Sequence, residues 1–155
     1  MNKSINEIQD EITEEFEAFP EWLDRYNYLI ELSAGLPMIK DEHRTDRFAI
    51  KGCQSRVWLD AEMRDGKVCF SADSDAIITK GIIALLIRVL NGRTPREIAD
   101  SDLYFIDRIG LSENLSPTRA NGLVAMIRQM KMFALAYSQV TPEKEGVGQL
   151  KNDKR

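Results

Sequence analysis

The sequence predicts one α+β domain, a small antiparallel sheet packed with helices, and three observations lead there. Alternation with a period of two occurs once, from Ser55 to Ala72, broken by Asp65-Gly66, a strong hairpin signal. The other apolar residues recur mostly at helical spacing, on segments bounded by capping residues. The 155 residues suffice for one domain with a real core and are too few for two comfortable ones. No repeat or linker divides them. The domain is expected over residues 1–140, with a charged, aperiodic tail at 141–155 that is expected to be disordered.

Ser4 with Glu7 forms a capping box ahead of Ile5, Ile8, Ile12 and Phe16, which share one helical face. Pro20 is read as the first residue of a second helix, where its missing N–H costs nothing. That helix carries Trp22, Leu23, Tyr26, Leu29 and Ile30, and Gly35 with Pro37 is its stop. Residues 38–49 are polar and of mixed charge, so an exposed loop is expected there, with His43 in solvent. In the hairpin, Val57, Leu59, Ala61 and Met63 share one face, as do Val68, Phe70 and Ala72, and the register places Cys69 opposite Glu62. Asp73 or Ser74 is expected to cap a helix over Ala76–Leu90 that is apolar on nearly every side and therefore central. Gly81 within it costs about 1 kcal/mol against alanine, which close packing of another backbone would explain. Asn91-Gly92 ends this helix. Thr94 and Glu97 box a short helix, Asp102–Ile109 makes another stopped by Gly110, and Ser116-Pro117 opens the last long one. Its buried stripe is read as Ala120, Leu123, Val124, Ile127, Met130, Ala134 and Tyr137.

Composition narrows the function. Hydrophobic residues are 43% and charged residues 30%, as in ordinary soluble domains, and the net charge of −4 favours neither nucleic acid nor an anionic membrane. No apolar run approaches the roughly 20 residues of a membrane helix. Met1 to Glu7 lacks a cationic start followed by an apolar stretch, which argues against a signal or transit peptide, so the cytoplasm is the expected compartment. Cys53, Cys69 and His43 are the only cysteines and histidine, too few for a four-ligand zinc site or a cluster held wholly by this chain. Cys53 and Cys69 are expected to stay unbonded to each other.

Cys53 is the residue on which function turns. It follows Gly52, precedes Gln54 and Ser55, and stands where a loop becomes a strand. Glycine can hold the next side chain at the tip of a tight bend, and a thiolate is the best nucleophile among side chains. The local sequence supplies no base. Lys51 and Arg56, or a docked partner, would favour the anion.

Three separated motifs are similar to the SufE family of sulfur-acceptor proteins, in order and spacing: Lys51-Gly52-Cys53-Gln54-Ser55-Arg56-Val57-Trp58; Asp73-Ser74-Asp75-Ala76 with Lys80-Gly81; and Leu115-Ser116-Pro117-Thr118-Arg119 with Gly122-Leu123. Tyr26, Ile30-Glu31-Leu32 and Leu36-Pro37 add to the match, which spans roughly residues 12 to 138. The resemblance implies the fold shared by SufE and IscU-like scaffolds. It implies that Cys53 takes sulfane sulfur from a pyridoxal-phosphate cysteine desulfurase of the SufS type, stimulates that enzyme and passes sulfur towards an iron–sulfur scaffold. The chain is then an accessory protein, with no cofactor of its own, since the pyridoxal phosphate belongs to the desulfurase. Asp75 matches the aspartate near which relatives hold the active loop, and Arg119 the arginine suited to clamping that loop or meeting the partner. With Lys51, Gly52, Gln54, Ser55 and Arg56 they make up the expected supporting site. Some relatives carry a second cysteine in the first helical region. This chain has Phe16, Ala18 and Phe19 there, so Cys69 inherits no role.

Three other functions compete with this one. A freestanding cysteine-nucleophile hydrolase or transferase needs a base, and His43 is the only histidine. A cluster or metal scaffold lacks ligands unless subunits share them. A purely structural interaction protein would leave Cys53 as an ordinary buried thiol.

Overall fold

In a computed structural model, residues 3–139 are described; the expected tail at 141–155 lies outside them. Among the described residues there are seven α-helices and a two-stranded antiparallel sheet.

Helix α1 (Ile5–Glu17) begins with the capping box: Ser4 Oγ accepts from the Glu7 N–H at 3.0 Å and Glu7 Oε1 from the Ser4 N–H at 2.8 Å. Two orphan donors of the first turn are satisfied reciprocally. Helix α2 (Trp22–Leu32) starts later than Pro20, contrary to expectation. Extended Glu21 is its N-cap, and the Phe19 carbonyl accepts from Arg25 Nε at 2.6 Å. The residue before a proline is disfavoured in helical geometry, and Arg25 ties that carbonyl outside the helix. After Leu32 a single 3-10 turn, Ser33–Gly35, completes the stop.

Strands β1 (Val57–Arg64) and β2 (Lys67–Ser74) pair from Val57↔Ser74 to Arg64↔Lys67, with Cys69 opposite Glu62. The turn has φ of 53° at Asp65 and 78° at Gly66, the left-handed pair that a two-residue hairpin demands. Val57, Leu59, Ala61, Val68, Phe70 and Ala72 are buried on one face, while Met63 at the end of its strand is exposed.

The 38–49 segment is more than an exposed loop. The Ala72 carbonyl accepts from the Ile39 N–H, the Ala72 N–H donates to Pro37, and Ile39 is buried. Two 3-10 turns, Asp41–His43 and Asp46–Phe48, follow, and Ala49 bridges to Trp58. His43 is not free in solvent: its Nδ1 lies 2.8 Å from Asp60 Oδ2 and its ring stacks on Phe48 at 4.3 Å.

Helix α3 (Ile77–Leu90) is central as expected and packs against α1, α2 and β2. Neither Asp73 nor Ser74 caps it; Ala76 holds that position without a side-chain bond. Both candidates are still paired in β2, which outruns its apolar pattern by two residues. The expected close packing at Gly81 is there: a Cβ would stand 2.1 Å from the Leu29 carbonyl oxygen of α2.

Helix α4 (Pro95–Asp100) has its capping box from Thr94 and Glu97. The helix expected over 102–109 is reduced to α5 (Phe105–Arg108), followed by α6 (Leu111–Asn114). Gln9 of α1 accounts for the lost turn. Its Nε2 donates to the Asp102 carbonyl at 3.0 Å and its Oε1 accepts from the Phe105 N–H at 3.1 Å, so these backbone groups bond across the core. Helix α7 (Pro117–Ser138) starts at the Ser116 cap and packs on α3 and α4. Val124, read as buried, is 52% exposed, whereas Gly122, Leu123, Ala125 and Met126 face inward.

Candidate functional site

Cys53 sits in the segment joining the Asp46–Phe48 3-10 turn to β1. Gly52 carries φ of +93°, which a side chain would strain, and a Cβ there would come within 3.4 Å of Ala125 Cβ on α7. The bend therefore packs on α7 at Ala125 and places the thiol beside Gly122, about one helical turn earlier. Cys53 Sγ lies 3.7 Å from the Gly122 carbonyl oxygen, within range of weak S–H donation. Cys53 and Cys69 are both free, and Cys69 is remote from the bend on β2.

The half-buried thiol opens into a cavity of about 320 Å³. Of the expected residues, Gln54, Ser55 and Arg119 line it with Cys53. Thr79 and Ile82 of α3, Gly122 and Met126 of α7, and Ser116 and Thr118 at the start of α7 complete the wall. Arg119 is exposed at the rim, in the first turn of α7.

Arg56 and Asp75 are brought together next to this cavity, without lining it. The Arg56 N–H donates to Asp75 Oδ1 at 3.1 Å and the Asp75 N–H to the Arg56 carbonyl at 3.2 Å. That carbonyl also accepts from Ser74 Oγ at 2.8 Å. The carboxylate of Asp75 thus fastens the strand-side end of the cysteine loop to the end of β2. Lys51 points away from the cavity, into a neighbouring cleft with Arg128.

Burial pushes the Cys53 thiol above the usual range for cysteine. Asp73 behaves oppositely: burial raises its carboxyl, but the Ser74 N–H, Lys80 and Arg44 together outweigh that and hold it below the usual carboxylate range. Arg44 Nη2 lies 2.7 Å and Lys80 Nζ 3.2 Å from it, so one buried carboxylate ties the 38–49 segment to the start of α3, on either side of the cysteine loop.

Thr79, Ile82 and Met126 are site residues that the sequence does not mark. Ile82 reads as a core residue and Thr79 and Met126 carry no mark at all, and only the packing of α3 against α7 brings the three into one cavity lining. Gly122 is visible as part of a motif, and a mid-helix glycine is the available signal for a close approach. Arg44 has no signal, because nothing local links it to Asp73. Trp58 is half-buried on the outer sheet face, its Nε1 without a partner among the described residues.

Chemically, the cavity offers a sulfur nucleophile, polar hydroxyl and amide groups, and a guanidinium at the mouth. It offers no imidazole, since the only histidine is engaged with Asp60. Among the described residues no group of three or more His, Cys, Asp or Glu side chains is placed to hold a metal ion, and no helix is long and apolar enough to cross a membrane.

These features describe a small α+β domain built around one sheltered cysteine, and comparison with known proteins gives the class a family. The SufE family model, described as an Fe-S metabolism associated domain, matches residues 10–134. An uncharacterized SufE-like protein of Rhizobium meliloti is 41% identical over 132 residues, covering 81% of this chain and 93% of its own length. Uncharacterized SufE-like proteins of Rhizobium etli and a Synechocystis species are 38% and 37% identical, covering 79% and 81% of this chain and 86% and 79% of their own lengths. A solution structure of a hypothetical protein from Thermus thermophilus has the same fold, with a TM-score of 0.71 at 23% identity, covering 86% of this chain and 97% of its own. The chain belongs to the SufE family, a family of sulfur-transfer proteins.

Proposed function

We propose that this protein is a persulfide carrier whose Cys53 takes sulfane sulfur from a SufS-type cysteine desulfurase, stimulates that enzyme, and hands the sulfur to iron–sulfur cluster assembly in the cytoplasm. The observation that carries the reading is the placement of Cys53: a free thiol on a glycine bend, opening into a cavity with an arginine at its mouth.

The transfer is sulfur–sulfur exchange. Cys53 loses its proton, and its thiolate attacks the outer sulfur of the donor persulfide. A bond forms between Cys53 Sγ and that sulfur, the donor's S–S bond breaks, and the donor cysteine leaves as a thiolate. No electrons are gained or lost overall. Burial raises the thiol pKa and so lowers the thiolate fraction of the free protein, and in the docked state Arg119 at the rim favours the anion. Gln54 and Ser55 supply polar contacts to the incoming sulfur. Asp75 positions the loop through the Arg56 backbone, and Lys51 and Arg56 face the partner. The pyridoxal phosphate stays with the desulfurase.

The test is turnover of a SufS-type desulfurase on free cysteine. Wild-type protein and Cys69→Ser are expected to raise the rate equally, and Cys53→Ser to leave it at the level of the desulfurase alone while keeping its melting temperature. Full stimulation by Cys53→Ser would overturn the proposal.

A further inference from the structure

The cleft beside the cysteine loop carries a charge that the sulfur chemistry does not use. It is lined by Arg47, Lys51 and Arg128, with Asp46 the one acidic group, over a floor that includes Ile50 and Ala125. All four charged residues are exposed. Among the described residues, none of the three cations forms an ion pair; exposed cations elsewhere, Lys40, Lys67 and Arg119 among them, are unpaired too, but here one concavity gathers three. Three unpaired cations in one concavity repel each other, and a chain of net charge −4 gains nothing in solubility from grouping them. The grouping makes sense for an anion that comes from outside.

Position gives the anion a purpose. A Cβ on Gly52 would stand 3.4 Å from Ala125 of the cleft floor, and Cys53 Sγ lies 3.7 Å from the Gly122 carbonyl oxygen, so the cleft and the sulfur cavity lie side by side along α7. From Gly122 to Arg128 the helix rises about 9 Å, comparable to a Debye length in physiological salt. Arg119 flanks the cysteine at the N-terminal end of α7 and the cleft flanks it on the C-terminal side.

We propose that this cleft is the docking subsite for an acidic segment of the sulfur-donating protein, whose carboxylates meet Arg47, Lys51 and Arg128 and set its register over Cys53. The inference rests on Cys53 being a sulfur acceptor. An acidic segment fits better than a small anion because the cations are spread along an open cleft of about 490 Å³ and no buried polar group closes around one point. Exposed charges of this kind act chiefly on the rate of encounter.

The experiment follows sulfur transfer from a persulfidated SufS-type desulfurase to the full chain by rapid quench, across roughly 0.05 to 0.5 M NaCl. The variant is Arg47→Gln/Arg128→Gln, and the control is Lys40→Gln/Lys67→Gln, which removes two exposed lysines outside the cleft. Thermal melting confirms folding, and loading of Cys53 by inorganic polysulfide reports the chemistry without a protein donor. The wild-type rate is expected to fall with salt. At low salt the cleft variant is expected to transfer about 3- to 10-fold more slowly with a flatter salt dependence, the control to match wild type, and polysulfide loading to be equal in all three. Transfer by the cleft variant at the wild-type rate, or equal slowing by the control, would overturn the inference while leaving Cys53 as the acceptor. So would competition by millimolar inorganic phosphate that disappears in the cleft variant while its salt dependence stays that of wild type. Wild-type protein that never gains sulfur on Cys53 would instead remove the underlying reading, and this inference with it.

Discussion

At Cys53, reactivity and protection pull in opposite directions. Half-burial against Gly122 shelters the sulfur and raises the thiol's pKa, which lowers the thiolate fraction available for attack in the free protein. The free protein should therefore alkylate slowly with iodoacetamide. The rate at Cys53 should climb with pH to a midpoint above the value of about 8.5 for an ordinary cysteine. A midpoint at or below that value would mean that a nearby cation already activates the thiol at rest. Much of this site is legible in the sequence. Gly52 before Cys53 announces the bend, and Gln54, Ser55 and Arg119 stand out in their motifs. The thiol's shelter is not legible, because it comes from Thr79, Ile82 and Met126, which local pattern marks only as apolar or helical.

At the scale of elements, α7 carries the site and Gly122 is its most informative position. A glycine six residues into a long helix costs about 1 kcal/mol against alanine. The resting fold does not require it: an alanine Cβ would meet Cys53 Sγ at 3.5 Å, an ordinary contact. Gly81 differs, because there the Leu29 backbone forbids any side chain. Gly122→Ala is thus expected to stabilise the fold by up to about 1 kcal/mol in denaturant titrations while lowering the amount of sulfur Cys53 retains, since the methyl group takes space beside Sγ. Undiminished loading would show that the second sulfur lies elsewhere. The elements themselves are well signalled where the signal is local: the capping boxes at Ser4 and Thr94 and the Asp65-Gly66 turn stand where the sequence puts them. The misplaced helix bounds share a cause. Pro20, Asp73 and Ser74 read as helix starts, and Asp102–Ile109 as one helix. In each case another group (Arg25 six residues on, the paired strand β1, Gln9 of α1) claims what a local helix would have used.

Over the whole molecule, long-range polar ties hold α1 and α2 to α3, the helix that forms one wall of the site. Glu15 of α1 accepts from Arg88 of α3 at 2.6 and 3.0 Å and from the Tyr28 O–H of α2 at 2.7 Å. Hydrogen bonding from Arg88 keeps the Glu15 carboxyl below the usual range despite its partial burial, while burial and Glu15 push the Tyr28 hydroxyl up to about 12. A depressed carboxylate stabilises the fold above its unfolded pKa of about 4.3 and loses that contribution as pH falls through the folded value. Both side chains are about one-third exposed, so solvent screening limits the contribution to about 1 kcal/mol. Glu15→Gln should accordingly lower stability by about 1 kcal/mol at neutral pH and converge with wild type as the pH drops below the ordinary glutamate range. A gap that persists unchanged into acid would assign the effect to packing.

The central claim is that Cys53 accepts sulfur from a protein donor. It is tested most directly by peptide mass spectrometry after the protein is mixed with a SufS-type desulfurase and free cysteine. The peptide containing Cys53 should gain about 32 Da per added sulfur only when the desulfurase is present, with no gain on the Cys69 peptide. An unmodified Cys53 peptide in the presence of a demonstrably persulfidated desulfurase would contradict the account.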